Sequence, residues 1–263
     1  MSGTMEALVV VVTGASRGIG AEIAKRFARE GAHVVVTART VEEGDHVFAG
    51  SINETVRAIV EAGGSAEAVA ADLGRTEDRK RILDVAGPVD VLVSNAAITY
   101  FEPVSEFSES HYRLMFEVQV RAPFEMAQGV LPAMLDRGRG WILNISSGAA
   151  IHPVGPPYVG RVGGGTVYGM CKAALERFTT GLAAEVWADN IAVNVLSPSG
   201  LVLTPGVLHH QLDKFTPVER REPVSYMAEA AHALCTGDPK VLTGKVTYAK
   251  PILEELGVPL PTS

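Results

Sequence analysis

The chain has 263 residues, a formal net charge of −7 at neutral pH and no basic stripe, so neither nucleic acid nor an anionic membrane surface is an expected partner. Its two cysteines, Cys171 and Cys235, suit a reducing compartment and supply neither a disulfide framework nor metal-ligand spacing. The first apolar run, Leu8 to Val12, follows no Lys or Arg and is too short for a secretion signal or a membrane span, which predicts a cytoplasmic protein. One α/β domain over residues 1–263 is the economical reading of this length.

In chain order, a strand predicted over Leu8–Thr13 enters the glycine-rich turn Thr13-Gly-Ala-Ser-Arg-Gly-Ile-Gly, and a helix follows over Ile19–Glu30. Gly14, Gly18 and Gly20 permit positive φ and a close backbone approach, while the helix N-terminus offers free N–H groups and a positive dipole end to a pyrophosphate. A tight strand–helix connection is the plainer alternative, because the spacing is not the commoner Gly-x-Gly-x-x-Gly. A second strand, His33–Ala38, leads into a long connection from Thr40 to Gly50; Ser51-Ile-Asn-Glu54 then has the form of a capping box.

Further strands are predicted over Ala66–Ala70, Val89–Ser94, Trp141–Ser146 and Ile191–Leu196, with a helix over Val167–Trp187. Short Val/Ile-rich strands alternating with helices predict an α/β fold, a doubly wound parallel sheet covered on both faces. Adjacent His209 and His210 lack the i, i+4 geometry of a helical metal site and read as loop residues; no metal is expected. The sequons Asn53-Glu-Thr and Asn144-Ile-Ser read as chance matches without a secretory signal.

Tyr168 and Lys172 stand four apart in Thr166-Val-Tyr-Gly-Met-Cys-Lys, a spacing that puts them on one helix face. A free tyrosine has a pKa of about 10 and is a poor acid–base catalyst near neutrality unless a cation favours the phenolate. Lys172 is such a cation. The strand Trp141–Ser146 ends at Ser146 and Ser147, where α/β folds place their chemistry. Alternation along the strand sends these two side chains to opposite faces.

Glycine turn, Ser147, Tyr168 and Lys172, in this order, resemble the short-chain dehydrogenase/reductase family. Asp72-Leu73, Ser94-Asn-Ala-Ala and Ile191-Ala-Val-Asn-Val-Leu-Ser-Pro extend the likeness over nearly the whole chain. The resemblance implies a Rossmann-like fold and a carbonyl–alcohol oxidoreductase. In it Ser147 binds the substrate oxygen, Tyr168 transfers the proton, and Lys172 lowers the tyrosine's pKa and holds the nicotinamide ribose. The family motif selects Ser147 over Ser146. An asparagine usual in the preceding long helix, where it positions a proton-relaying water, corresponds here to Gln119, which keeps an amide donor and acceptor.

By the same resemblance Gly14, Ser16, Arg17, Gly18, Ile19 and Gly20 cradle the cofactor phosphates, Asp72 and Leu73 meet the adenine, Asn95 and Ala96 follow the adenosine ribose, and Pro198 borders the nicotinamide. Asn95 has the alternative role of tying the sheet together. Ala97 replaces a usual glycine, and Ser199 separates Pro198 from Gly200 where Pro-Gly is expected. An acidic residue ends the second strand in NAD-preferring relatives; here Ala38 stands there, followed by Arg39. Arg39 and Arg17 can clamp a 2′-phosphate, so NADP(H) is preferred, with NAD(H) possible.

Leu201, Val202, Leu203, Val207, Leu208 and Phe215, on a rim from Gly200 to Val224, suggest an apolar pocket for a small carbonyl or alcohol. The Gly/Pro-rich segment Pro153 to Gly165 is expected to border it, and Arg161 is read as a solvated arginine rather than a contact for an anionic carrier. By resemblance the chain is a homo-oligomer, a tetramer or a dimer. A catalytically weak nucleotide-binding regulatory or scaffold protein on the same fold is the alternative that Gln119, Ala97 and Ser199 motivate.

Overall fold

In the computed structural model, which describes residues 3–158 and 163–261, seven parallel strands form one twisted sheet in the order β3-β2-β1-β4-β5-β6-β9. They are β1 Val9–Thr13, β2 His33–Ala38, β3 Ser65–Ala70, β4 Val91–Ser94, β5 Gly140–Ile145, β6 Ile191–Ser197 and β9 Val246–Tyr248. Helices α1 Gly18–Arg29, α2 Ile52–Glu61, α8 Val224–Thr236 and α9 Ala249–Glu255 supply one hydrophobic layer, and α3 Thr76–Ala86, α5 Ala122–Arg137 and α6 Thr166–Val186 supply the other. α4 Glu109–Phe116 leads into α5.

Strand alternation explains the two layers. Val10, Val12, Val34 and Val36 belong to the first core cluster, whereas the intervening Val11 and Val35 belong to the second, and all six are fully buried. A strand apolar at consecutive positions can only be satisfied between two covered faces. On α1, Ile23, Ala24, Phe27 and Ala28 turn to the sheet, and Arg26 ties this helix to α8 by an ion pair with Glu229 at 2.7 Å.

Local signals set several boundaries. Ser51 Oγ accepts the Glu54 N–H at 3.0 Å, so the serine half of the anticipated capping box starts α2. Strands predicted over Leu8–Thr13 and Val89–Ser94 begin one and two residues later. Three features were not expected from the sequence: the edge strand β9, a two-stranded ribbon of β7 Leu201–Val202 and β8 Arg221–Glu222, and a π-helical turn over Glu117–Arg121 between α4 and α5. Among the described residues no helix is long and apolar enough to cross a membrane.

Candidate active site

All seven strands point their C-terminal ends at one open cleft of about 1540 Å³, larger than the roughly 300–1,000 Å³ of a drug-sized site. Gly14, Ser16, Arg17, Gly18, Ile19, Arg39, Asp72, Leu73, Asn95, Ala96, Pro198, Ser147, Tyr168 and Lys172 all line it. Gly20 and Gln119 are buried and do not line it.

The glycine turn closes β1 onto α1. Gly14 has φ of +65°, and a Cβ there would lie 2.7 Å from Ala96 Cα. Gly20 is required for a different reason: its φ is not positive, and a Cβ would collide with the Asn95 amide and the Gly14 carbonyl. That amide donates to Thr13 O at 2.9 Å and Gly14 O at 3.1 Å, so Asn95 lines the cleft and also locks the turn to β4. Helix α1 has no side-chain cap and no acidic residue in its first turn. Its leading N–H groups and dipole are therefore unopposed, the condition an anion needs.

The two arginines differ in position. Arg17 Nε donates to Ala49 O at 2.8 Å, and its Nη2 meets Gly50 O at 2.6 Å, Phe48 O at 3.2 Å and Thr40 Oγ1 at 3.2 Å. The guanidinium thus anchors the Thr40–Gly50 connection, an engagement the sequence did not announce, while Arg39 is exposed. Burial, then Arg39, lower the Arg17 pKa, and His46 is lowered by burial and by Arg17, Arg39 and His209, as expected where cations converge.

At the other end of the cleft, β5 delivers two serines to different surroundings. Ser146 is buried and donates to Glu176 Oε1 at 2.7 Å; Ser147 lines the opening, its Oγ accepting the Ala149 N–H at 3.2 Å. Lys172 is buried, donates from Nζ to Ile145 O at 2.9 Å, and lies 5.7 Å from the centre of the Tyr168 ring. Burial pulls its pKa down to about 8, against the raising influence of Cys171 and Glu176. Tyr168 departs from the expected downward shift. Burial pushes its phenol up, a hydrogen bond with Ser147 opposes this, and the neighbouring Cys171 adds to the rise.

Gln119 sits in the π turn, where the wider i→i+5 winding carries it into the interior. Its Nε2 donates to Ile98 O at 2.8 Å, and its buried Oε1 has no protein partner among the described residues. Glu117 of the same turn pairs with fully buried Arg79 at 2.9 Å, which fixes the turn against α3.

Ser199 is a structural tie. Its N–H donates to Glu222 Oε1 at 2.9 Å, and its hydroxyl accepts the Lys250 N–H at 2.8 Å, joining the loop after β6 to β8 and α9. Thr204 escaped sequence reading: it caps the short helix α7, Pro205–His209, through Oγ1 and sits against Gly18, where a Cβ would meet its Cγ2 at 3.1 Å. The Thr-Pro pair was the available signal. His209 ends this helix and is not a loop residue, and with His46, Phe48 and Phe101 it lines the cleft. Leu201, Val202, Val207 and Leu212 supply apolar lining nearby. Phe215, expected on the apolar rim, has its side chain outside what the structure describes, and Arg161, read as a solvated arginine, also lies outside the described residues.

Comparison with known proteins extends these observations. A family model described as short chain dehydrogenase matches residues 8–211. Dehydrogenase/reductase SDR family member 4 of Sus scrofa is 34% identical over 249 residues, 93% of this chain and 81% of its own length. Among solved structures, a candidate NAD(P)-dependent gluconate 5-dehydrogenase from Beutenbergia cavernae, with NADP at low occupancy, is similar at a TM-score of 0.81, with 30% identity, covering 93% of this chain and 96% of that one. A 3-oxoacyl (acyl-carrier-protein) reductase from Agrobacterium tumefaciens C58 with NADP bound gives 0.79, 27% identity and coverage of 93% of each chain.

Proposed function

Since this chain belongs to the short-chain dehydrogenase/reductase family of oxidoreductases, we propose that it interconverts a carbonyl and a secondary alcohol with NADP(H) as the hydride carrier. The observation that carries the reading is the convergence of Ser147, Tyr168 and Lys172 on the cleft that the uncapped α1 N-terminus also faces. The residues fit a dinucleotide. The α1 N-terminus and the glycine turn hold the pyrophosphate, Arg39 meets the 2′-phosphate, and Lys172 reaches the nicotinamide ribose.

Bound cofactor supplies or accepts the hydride. Ser147 orients the substrate oxygen by a hydrogen bond. Tyr168, whose raised pKa keeps the phenol protonated at neutral pH, hands its proton to that oxygen during reduction. Lys172 stabilises the phenolate left behind, and the free Gln119 carbonyl offers an acceptor in the proton path behind the lysine. Apolar residues of the segment after β6 favour an apolar small-molecule substrate. A screen of ketones with NADPH and of alcohols with NADP⁺ tests this reading; a folded protein that turns over no member of either set overturns it.

Cofactor preference is tested separately. Arg39→Ala is expected to weaken NADPH by about tenfold, as for one solvent-facing charge-assisted contact, and to leave NADH unchanged. Equal loss for both dinucleotides in a fluorescence titration removes Arg39 from the 2′-phosphate site. The same reading holds the protein to be a cytoplasmic homo-oligomer. Phe124 on α5 and Met170 on α6 are about half exposed, an apolar surface of the kind subunits cover, and light scattering gives the stoichiometry.

A further inference from the structure

Five successive ring contacts cross the mouth of the cleft. His46 packs on Phe48 with centroids 4.6 Å apart, Phe48 on His209 at 4.9 Å, His209 on His210 at 5.1 Å, His210 on Phe101 at 5.0 Å, and Phe101 on Tyr168 at 6.1 Å. The series starts beside Arg17, whose guanidinium lies 5.9 Å from the Phe48 ring centre, and ends at the tyrosine assigned to proton transfer. Phosphate binding by a glycine turn requires none of these rings.

One link has special topology. Phe48 belongs to the connection between β2 and α2, and His209 to α7, after β6; these two strands lie on opposite sides of the β1–β4 pair in the sheet, and both rings line the cleft. Arg17 fixes the Phe48 side by binding the carbonyls of Phe48, Ala49 and Gly50. Thr204 on Gly18 seats α7 over the phosphate turn. A dinucleotide held by the glycine turn would meet this contact on its way in and out of the cleft.

We propose that Phe48 and His209 form a clasp over the cofactor path and set how fast the dinucleotide enters and leaves. The inference rests on the dinucleotide reading above. It does not depend on the 2′-phosphate preference, because the clasp joins two protein side chains. A tilted aromatic pair of this kind makes opening roughly two- to tenfold rarer. Phe48 is half-buried and His209 exposed, so truncating either leaves the core intact.

The test is stopped-flow fluorescence of NADPH and NADH with wild type, Phe48→Ala, His209→Ala and the double variant. Each single variant is expected to raise both association and dissociation rates roughly two- to tenfold, with less than a twofold change in affinity, and the double variant to add little to the larger single effect. Unchanged rates overturn the clasp. Faster dissociation with unchanged association also overturns it, since that pattern assigns the rings to direct cofactor contact, as do additive effects in the double variant. Equal wild-type affinities for NADPH and NADH refute only the phosphate preference, whereas no binding of either refutes both readings.

Discussion

Tyr168→Phe is expected to keep the fold and NADPH affinity while kcat falls by about 10²–10⁴-fold, the usual contribution of a positioned acid–base group. The substitution removes one oxygen and leaves the ring against Phe101 and the Cys171–Val167 cluster in place. Because burial raises the tyrosine's pKa, the acid form prevails at neutral pH, and alcohol oxidation, which needs the phenolate, should accelerate with rising pH until Lys172 loses its charge above about 8. Steady-state kinetics on any substrate found for the wild type, in both directions, check this. A phenylalanine variant with near-normal kcat removes Tyr168 from proton transfer.

Lys172→Met is expected to do two opposite things: abolish most turnover and stabilise the fold. In the unfolded chain the lysine has its ordinary value of 10.5, and in the native protein about 8, so below pH 8 the folded state holds an ammonium that burial disfavours by about 3 kcal/mol. Methionine fills similar volume without charge. Loss of the Nζ–Ile145 bond returns about 1 kcal/mol, leaving a net gain of about 2 kcal/mol and a rise in Tm of roughly 4–8 °C at pH 7.

The sign of the pH dependence follows from proton counting. Between about 8 and 10.5 the unfolded chain still holds the proton that the native protein has released, so this residue's contribution to wild-type stability rises across that window. The methionine variant lacks that rise, and its advantage should vanish at about pH 10, where the remaining cost of the ammonium equals the roughly 1 kcal/mol of the lost hydrogen bond, and reverse above it. Thermal melts of both proteins from pH 7 to 10.5 decide the matter; a less stable methionine variant at pH 7 contradicts a buried ammonium.

Much of this was legible in the sequence because its causes are local. Consecutive valines in β1 and β2 required two covered faces, Ser51 announced α2, and the spacing of Tyr168 and Lys172 required a shared helix face. What could not be read depends on distant partners. Helical periodicity around Gln119 does not reveal a widened turn pinned by Arg79, because that arginine comes from α3, about 40 residues earlier. Arg17 was legible as a cation of the glycine turn, but its engagement with three loop carbonyls was not, since backbone acceptors carry no sequence signature. β9 escaped because three half-exposed residues show no apolar run. Tyr168 shows the limit most clearly: a nearby lysine suggested a lowered pKa, yet burial of the phenol is the largest influence and raises it.

The tie between Ser199 and Lys250 also bears on the order in which the protein is built. β6 pairs with β9 at Val195–Val246 through Ser197–Tyr248, and the hydroxyl of Ser199 waits for the backbone of Lys250, some 50 residues later in synthesis. A nascent chain that already contains the glycine turn, Ser147, Tyr168 and Lys172 therefore still lacks the scaffold of the Pro198 rim. The rim of the cleft at Pro198 is thus held by a part of the chain synthesised after the glycine turn, Ser147, Tyr168 and Lys172 are all in place.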